Sequence, residues 1–172
     1  YILDKKQFLE KDKSIEIRVV GIANSKKMLI DRDGIDIANW GDSLQTSGTK
    51  SNIEEFVSEM NKLNLANSIF VDCTATEVAI PYYQRIFESN ISITTPNKIA
   101  NTKDFELYQN LKNTAIRNNV KFIYSTNVGA GLPIISTIKD LVESGEKIIK
   151  LEGVLSGTLS YLFNNFPGDI KF

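Results

Sequence analysis

Histidine is missing from all 172 residues, and cysteine occurs once, at Cys73. These shortages exclude a disulfide framework, a cysteine-rich metal centre, Ser–His or Cys–His catalysis and histidine-ligated zinc within the chain. Charge of one sign is also lacking. Lys and Arg number 20 against 21 Asp and Glu, for a net charge of -1 and no basic block. Nucleic acid and an anionic membrane are therefore poor partners. No apolar run approaches the ~20 residues of a membrane span, and the opening YILDKKQFLEKDKS has no apolar signal-peptide centre. At 42% hydrophobic, the chain still buries a real core, as one domain or one and a half. The expectation is a soluble cytoplasmic protein that works with Lys, Asp, Glu, Thr or a cofactor.

A complete dinucleotide fingerprint is absent too. Val128–Ile135, VGAGLPII, follows an apolar run and opens a helix, as a phosphate loop does. Yet the third small residue of Gly-x-Gly-x-x-Gly is replaced by Ile134, and Pro133 removes an amide donor. That loop serves something other than a pyrophosphate.

What is present alternates between two periods. Ile15–Ala23 (IEIRVVGIA), Ser68–Asp72, Ile91–Thr95 and Lys121–Thr126 read as strands. Between them lie helical patterns. Ser51 and Glu54 make a capping box ahead of a stripe of Ile53, Phe56, Val57, Met60 and Leu63. Val78, Ala79, Tyr82 and Ile86 share a second face, with Pro81 near its first turn. Thr102 caps a third helix, faced by Phe105, Tyr108, Leu111, Ala115 and Ile116. Strands separated by such helices predict βαβ units: an α/β, Rossmann-type parallel sheet with right-handed crossovers. Both ends read as abrupt. The chain opens on a charged amphipathic helix, with no glycine before Gly21. After Val128 it turns to a helix over 132–143 with Pro133 at N1, a strand over 147–155 and a helix over 159–166. The expected organisation is a nucleotide-binding domain over 1–127, lacking its first strand and Gly-rich turn, and the beginning of a second α+β domain over 128–172.

IRVVGIANSK, VDCTATEVA, TPNKIANT, YSTNVGAGLPIISTI and LEGVLSGTLSYLFN, in that order, resemble the successive motifs of homoserine dehydrogenase. GIANSKKMLIDRDGIDIANW is similar to the dehydrogenase part of the bifunctional aspartokinase–homoserine dehydrogenases. The resemblance covers nearly the whole chain. It implies NAD(P)-dependent interconversion of L-homoserine and L-aspartate 4-semialdehyde, in threonine and methionine biosynthesis. It also implies that 128–172 open a catalytic and dimerisation domain, in a homodimer or larger assembly with a possible fused aspartokinase domain. The alternative is a non-catalytic nucleotide-binding or interaction domain.

The resemblance also suggests roles for single residues. It makes Thr74, at the carboxyl end of a parallel strand, a cofactor contact; taken alone, Thr74 reads as a helix N-cap. Cys73 beside it reads as an ordinary buried thiol. Asn24, Ser25 and Lys26 follow a strand where NAD-binding sites place an acid for the ribose. A hydroxyl and a cation suit a 2′-phosphate, so NADP is expected over NAD, although a polar turn reads the same way. Lys98 follows a strand stopped by Pro96; the family match places it at the catalytic centre and on the cofactor, its charge able to stabilise a developing alkoxide. By match, the carbonyls of Val128, Ala130 and Leu132 hold a monovalent cation such as sodium. Ser125 stands where the family often has an acid, and the loop alone reads as a hinge and helix start. Gly157 and Thr158 would contact homoserine; the bland reading is that Thr158 caps a helix. The family's downstream substrate acids and second lysine do not occur before Phe172, so residues 1–172 alone are expected to be inactive.

Overall fold

The computed structural model describes residues 1–165. The chain begins with helix α1 (Ile2–Lys13), whose first turn carries Asp4 and whose last carries Lys11 and Lys13. Those signs complement the helix dipole. The helix buries no residue, so its expected amphipathic seam is not used among the described residues.

The next segment departs from expectation. Of 15–23 only β1 (Gly21–Ala23) enters a ladder, and its partner is antiparallel: β2 (Lys27–Ile30), which pairs in turn with β3 (Thr49–Lys50). The reason lies in three residues. The Asn24 side-chain oxygen accepts from the amides of Lys26 and Lys27, both at 2.8 Å, and closes an Asx turn that reverses the chain. Gly21 is required on this hairpin because a Cβ there would lie 2.9 Å from Phe56 Cζ. Helix α2 (Trp40–Ser47) follows and buries Leu44.

Helix α3 (Ile53–Leu63) is capped one residue later than the Ser51–Glu54 pattern predicts: Asn52 accepts from the Glu55 amide at 3.2 Å. Its Phe56 and Val57 are buried, as the stripe requires. Beyond it the expected parallel sheet forms, with β5 (Ser92–Thr94) between β4 (Ile69–Val71) and β6 (Phe122–Ile123). A 3-10 turn at Ile80–Tyr82 leads into α4 (Tyr83–Glu88). That tighter turn changes the helical phase, so Ala79, Ile80, Tyr83, Ile86 and Phe87 are buried while Val78 is exposed. Helix α5 (Ile99–Thr102) ends at the residue expected to cap the next helix; α6 (Phe105–Arg117) is capped instead by Asp104, which accepts from the Leu107 amide at 2.9 Å. Leu111, Thr114 and Ala115 of α6 are buried, while Phe105 and Ile116 face out, correcting the predicted face.

One core joins the two sheets. Met28, Phe56, Val57, Phe70, Tyr83, Ile86, Phe87 and Ile93 belong to a single cluster. Register puts Phe70 beside Ile93 and Ile93 beside Phe122 on one face of the parallel sheet. Phe122 packs edge-on against Tyr83 and Phe87 at centroid distances of 5.9 and 5.5 Å. The opposite face is open: Ile69 is 63% and Val71 58% exposed.

After Val128 come α7 (Ile134–Glu143) and α8 (Gly157–Asn165), neither burying a residue. Pro133 precedes α7 as its N-cap rather than occupying N1. The strand expected over 147–155 does not form; among the described residues nothing pairs with it, and a strand exists only through pairing. Residue 166 of the expected last helix, and 166–172 of the expected second domain, lie outside the described residues.

Ile93→Ala should lower the stability of residues 1–172 by about 3 kcal/mol, since it empties a fully enclosed site between two aromatic rings. Ile69→Ala should cost less than about 1 kcal/mol. Urea unfolding of both variants checks this, and equal losses would contradict the one-sided core.

Candidate functional site

The carboxyl ends of β4 and β5 run on into two turns, 72–76 and 95–98, where open parallel sheets place their ligand crevice. Ladder bonds continue one step past the strands: Asp72 N donates to Thr94 O at 3.1 Å and Thr95 N to Ile123 O at 2.9 Å. The sheet thereby carries three polar side chains into its interior. Asp72 is 1%, Thr95 2% and Asn97 5% exposed.

A buried carboxylate costs several kcal/mol unless donors surround it. Asp72 has them. Tyr83 Oη donates to Oδ2 at 2.5 Å and the Thr74 amide donates to Oδ1 at 2.8 Å. Asn97 Nδ2, at 3.4 Å from Oδ2, is the long and weak member of the set. Burial, followed by its hydrogen bond to Asp72, pushes the Tyr83 hydroxyl pKa well above the ordinary tyrosine value, so Tyr83 remains a donor.

From this base the two turns are tied together. Thr95 Oγ1 donates to Asp72 O at 2.8 Å and accepts from the Asn97 amide at 2.9 Å. Asn97 Nδ2 also donates to Thr76 O at 2.8 Å and reaches Thr74 Oγ1 at 3.3 Å. Thr74 and Lys98 are exposed on the rim above. Thr74 starts no helix, so the N-cap reading of it fails; its hydroxyl donates to Thr76 O at 3.2 Å. Cys73 is exposed rather than buried, because strand alternation turns it away from the side that encloses Asp72.

The glycine loop joins the same turns through Asn127, whose Nδ2 donates to Asn97 O at 3.3 Å. Its Oδ1 is buried and has no hydrogen-bond partner among the described residues. Gly129 (φ 73°) and Ala130 (φ 51°) are both left-handed, and a Cβ on Gly129 would lie 2.2 Å from Ile134 Cδ1. Of the three carbonyls expected to hold a cation, that of Leu132 already accepts from the Ile134 amide at 2.9 Å. Among the described residues no cluster of His, Cys, Asp or Glu could hold a metal ion.

The remaining expected residues lie apart. Asn24, Ser25 and Lys26 form the exposed tip of the antiparallel hairpin. Gly157 and Thr158 are exposed at the start of α8, where Ser156 Oγ, not Thr158, caps the helix by accepting from the Leu159 amide at 3.2 Å. Among the described residues, no hydrogen bond or ion pair links either group to the turns at 72–76 and 95–98. The sequence reading missed Asp72, Tyr83, Thr95, Asn97 and Asn127 as site residues. Its available signal was a polar residue closing an apolar run, in IFVD and ITTPN.

Comparison with known proteins places the family. The model of the homoserine dehydrogenase NAD-binding domain matches residues 5–125, and that of homoserine dehydrogenase matches 133–172. The chain is 41% identical over 170 residues to the chloroplastic bifunctional aspartokinase/homoserine dehydrogenase 2 of Arabidopsis thaliana, covering 98% of this chain and 19% of that protein. It therefore spans about a fifth of the length of such relatives. A crystal structure of a Candida auris protein of unknown function superposes with a TM-score of 0.77 at 30% identity, over 92% of this chain and 46% of that one. The homoserine dehydrogenase of Thermoplasma acidophilum, at 22% identity and a TM-score of 0.59, shares the fold over 83% of this chain and 44% of its own. Lys98, exposed on the rim, is a donor of the kind a nicotinamide carboxamide can accept from.

Tyr83→Phe should destabilise the chain by about 1–3 kcal/mol at neutral pH, because the buried carboxylate loses its shortest donor. The alkaline limb tests the sign. Tyr83 has a higher pKa folded than unfolded, so its contribution is intact below the unfolded value of 10.0 and is lost as pH rises beyond it. Urea unfolding between pH 8 and about 11 should show stability falling more steeply in the parent chain than in the Phe variant. Parallel curves would contradict the burial of this hydroxyl.

Proposed function

The chain belongs to the homoserine dehydrogenase family, and from that premise we propose that it supplies the cofactor-facing part of an NADP-dependent oxidoreductase interconverting L-homoserine and L-aspartate 4-semialdehyde. The reading rests on one observation above others: the network from Asp72 through Asn97 ties the Thr74 turn to the Lys98 turn at one end of the parallel sheet. The nicotinamide ring supplies the hydride chemistry when bound. The chain's own residues hold and polarise. Thr74 offers its hydroxyl to the nicotinamide half. Lys98 carries an ammonium at the end of β5, able to hydrogen-bond the carbonyl oxygen of the semialdehyde and to stabilise the negative charge that gathers there.

The finer assignments follow from the same reading. Ser25 and Lys26, exposed at the hairpin tip that Asn24 shapes, suit a 2′-phosphate and favour NADP over NAD. Gly157 and Thr158 bind the amino-acid end of homoserine at the start of α8. The carbonyls of Val128, Ala130 and Leu132 offer oxygen to a monovalent cation such as sodium; Ser125 in place of an acid makes that site weak. Residues 1–127 form the nucleotide-binding part and 128–172 open the catalytic and dimerisation part of a cytoplasmic homodimer or larger assembly. The proteins matched at about 40% identity are named as aspartokinase fusions, which supports a kinase on the same polypeptide. The pathway proposed is threonine and methionine biosynthesis.

In the full-length polypeptide, Lys98→Ala should lower kcat on the order of a hundredfold while the thermal midpoint stays unchanged, since an exposed charge is removed and not core packing. Full kcat and KM in that variant would exclude the catalytic assignment. Residues 1–172 alone should give no NADP-dependent homoserine oxidation and weak or no heat of NADP binding, because groups that act as a unit leave little when separated. Micromolar binding with steady turnover by this segment would overturn that part.

A further inference from the structure

The residue before Lys98 is Asn97, buried beneath the two turns. Its surroundings are two-sided. Nδ2 faces three acceptors, Thr76 O at 2.8 Å, Thr74 Oγ1 at 3.3 Å and Asp72 Oδ2 at 3.4 Å, while Oδ1 accepts from the Ile99 amide at 3.1 Å. A carboxamide offers both sets at once; an ionised carboxylate has no donor, and serine is too short to span the gap. The backbone of the same residue is held as well, its amide by Thr95 Oγ1 at 2.9 Å and its carbonyl by Asn127 Nδ2 at 3.3 Å.

Lys98 has no such support. Its side chain is exposed, and its carbonyl is committed to the first turn of α5, accepting from Asn101 N and Thr102 Oγ1 at 3.0 Å each. The direction of its long stem is set by the backbone of the 95–98 turn. Pro96 restricts that turn at one side and Asn97 clamps it at the other. We infer that Asn97 is the positioning residue that holds Lys98 in register with Thr74, acting on the reaction only through that lysine. This rests on the assignment of Lys98 to catalysis. It adds a residue that touches neither substrate nor cofactor.

A double-mutant cycle in the full-length polypeptide separates this role from simple support of the fold. Misplacing a reacting group by about an ångström costs on the order of a hundredfold. Asn97→Ser should therefore lower kcat for homoserine oxidation roughly ten- to a hundredfold in the wild-type background, with KM little changed. In the Lys98→Ala background the same substitution should cost less than about twofold. Equal losses in both backgrounds would overturn the inference. If Asn97→Ser does not fold, Asn97→Leu keeps roughly the volume, removes the donors and the acceptor without adding a charge beside Asp72, and should show the same non-additivity. Amide hydrogen exchange gives a readout independent of turnover: in Asn97→Ser, the Thr74 and Ile99 amides should gain exchange together. A gain at one alone would overturn the inference. A wild-type polypeptide with no homoserine turnover would defeat the functional reading by itself, and the exchange result would still decide whether Asn97 couples the two turns.

Discussion

The burial of the Asp72 carboxylate is the constraint on which the site depends. Hydrogen bonds to a charged group contribute roughly 1.5–3 kcal/mol each, against a desolvation cost of several. With short donors from Tyr83 and the Thr74 amide, the carboxylate is held; without them it would draw in water and loosen the strand end. Each donor arrives from a different part of the chain. Tyr83 comes from α4, and Thr74 from the turn just after β4. Keeping the charge satisfied therefore keeps that helix and that turn in place. The site is a consequence of that requirement.

Packing supplies the rigid base beneath. Tyr83 has its hydroxyl on Asp72 and its ring against Phe122, so one side chain belongs both to the polar network and to the aromatic core. The central strand carries Ile93 between Phe70 and Phe122 in the layer directly below Asp72 and Thr95. Thr74 and Lys98 are exposed, but Asp72, Thr95 and Asn97, which link their turns, are buried. A second consequence is asymmetry. Among the described residues the apolar side of the parallel sheet that carries Ile69 and Val71 stays open. Sheets of this type usually cover both faces.

Much of this was legible in the residues, for identifiable reasons. The strands at 69–71, 92–94 and 122–123 were short apolar runs with turn signals on both sides, which leave few alternatives. The helices at 53–63 and 105–117 showed a helical stripe over three turns. What failed was set by single side-chain oxygens. Asn24 turned a presumed crossover into a hairpin, Asn52 and Asp104 took caps assigned to Ser51 and Thr102, and a 3-10 turn rotated the face of α4. Motif matching singled out the exposed Thr74 and Lys98, but not the residues beneath them. Asp72, Thr95 and Asn97 gain their meaning from one another across strands, and that proximity is invisible along the chain.

If the Asp72-based network presents Thr74 and Lys98 together to one ligand, a bound nicotinamide must meet both. A crystal structure of the full-length polypeptide with NADP bound tests it most directly. The account predicts the nicotinamide ring over the carboxyl ends of β4 and β5, with Thr74 Oγ1 and Lys98 Nζ both within hydrogen-bonding distance of it or of the substrate carbonyl, and Asn97 buried beneath with its bonds intact. A nicotinamide bound elsewhere, or Lys98 directed away from it into solvent, would contradict the account.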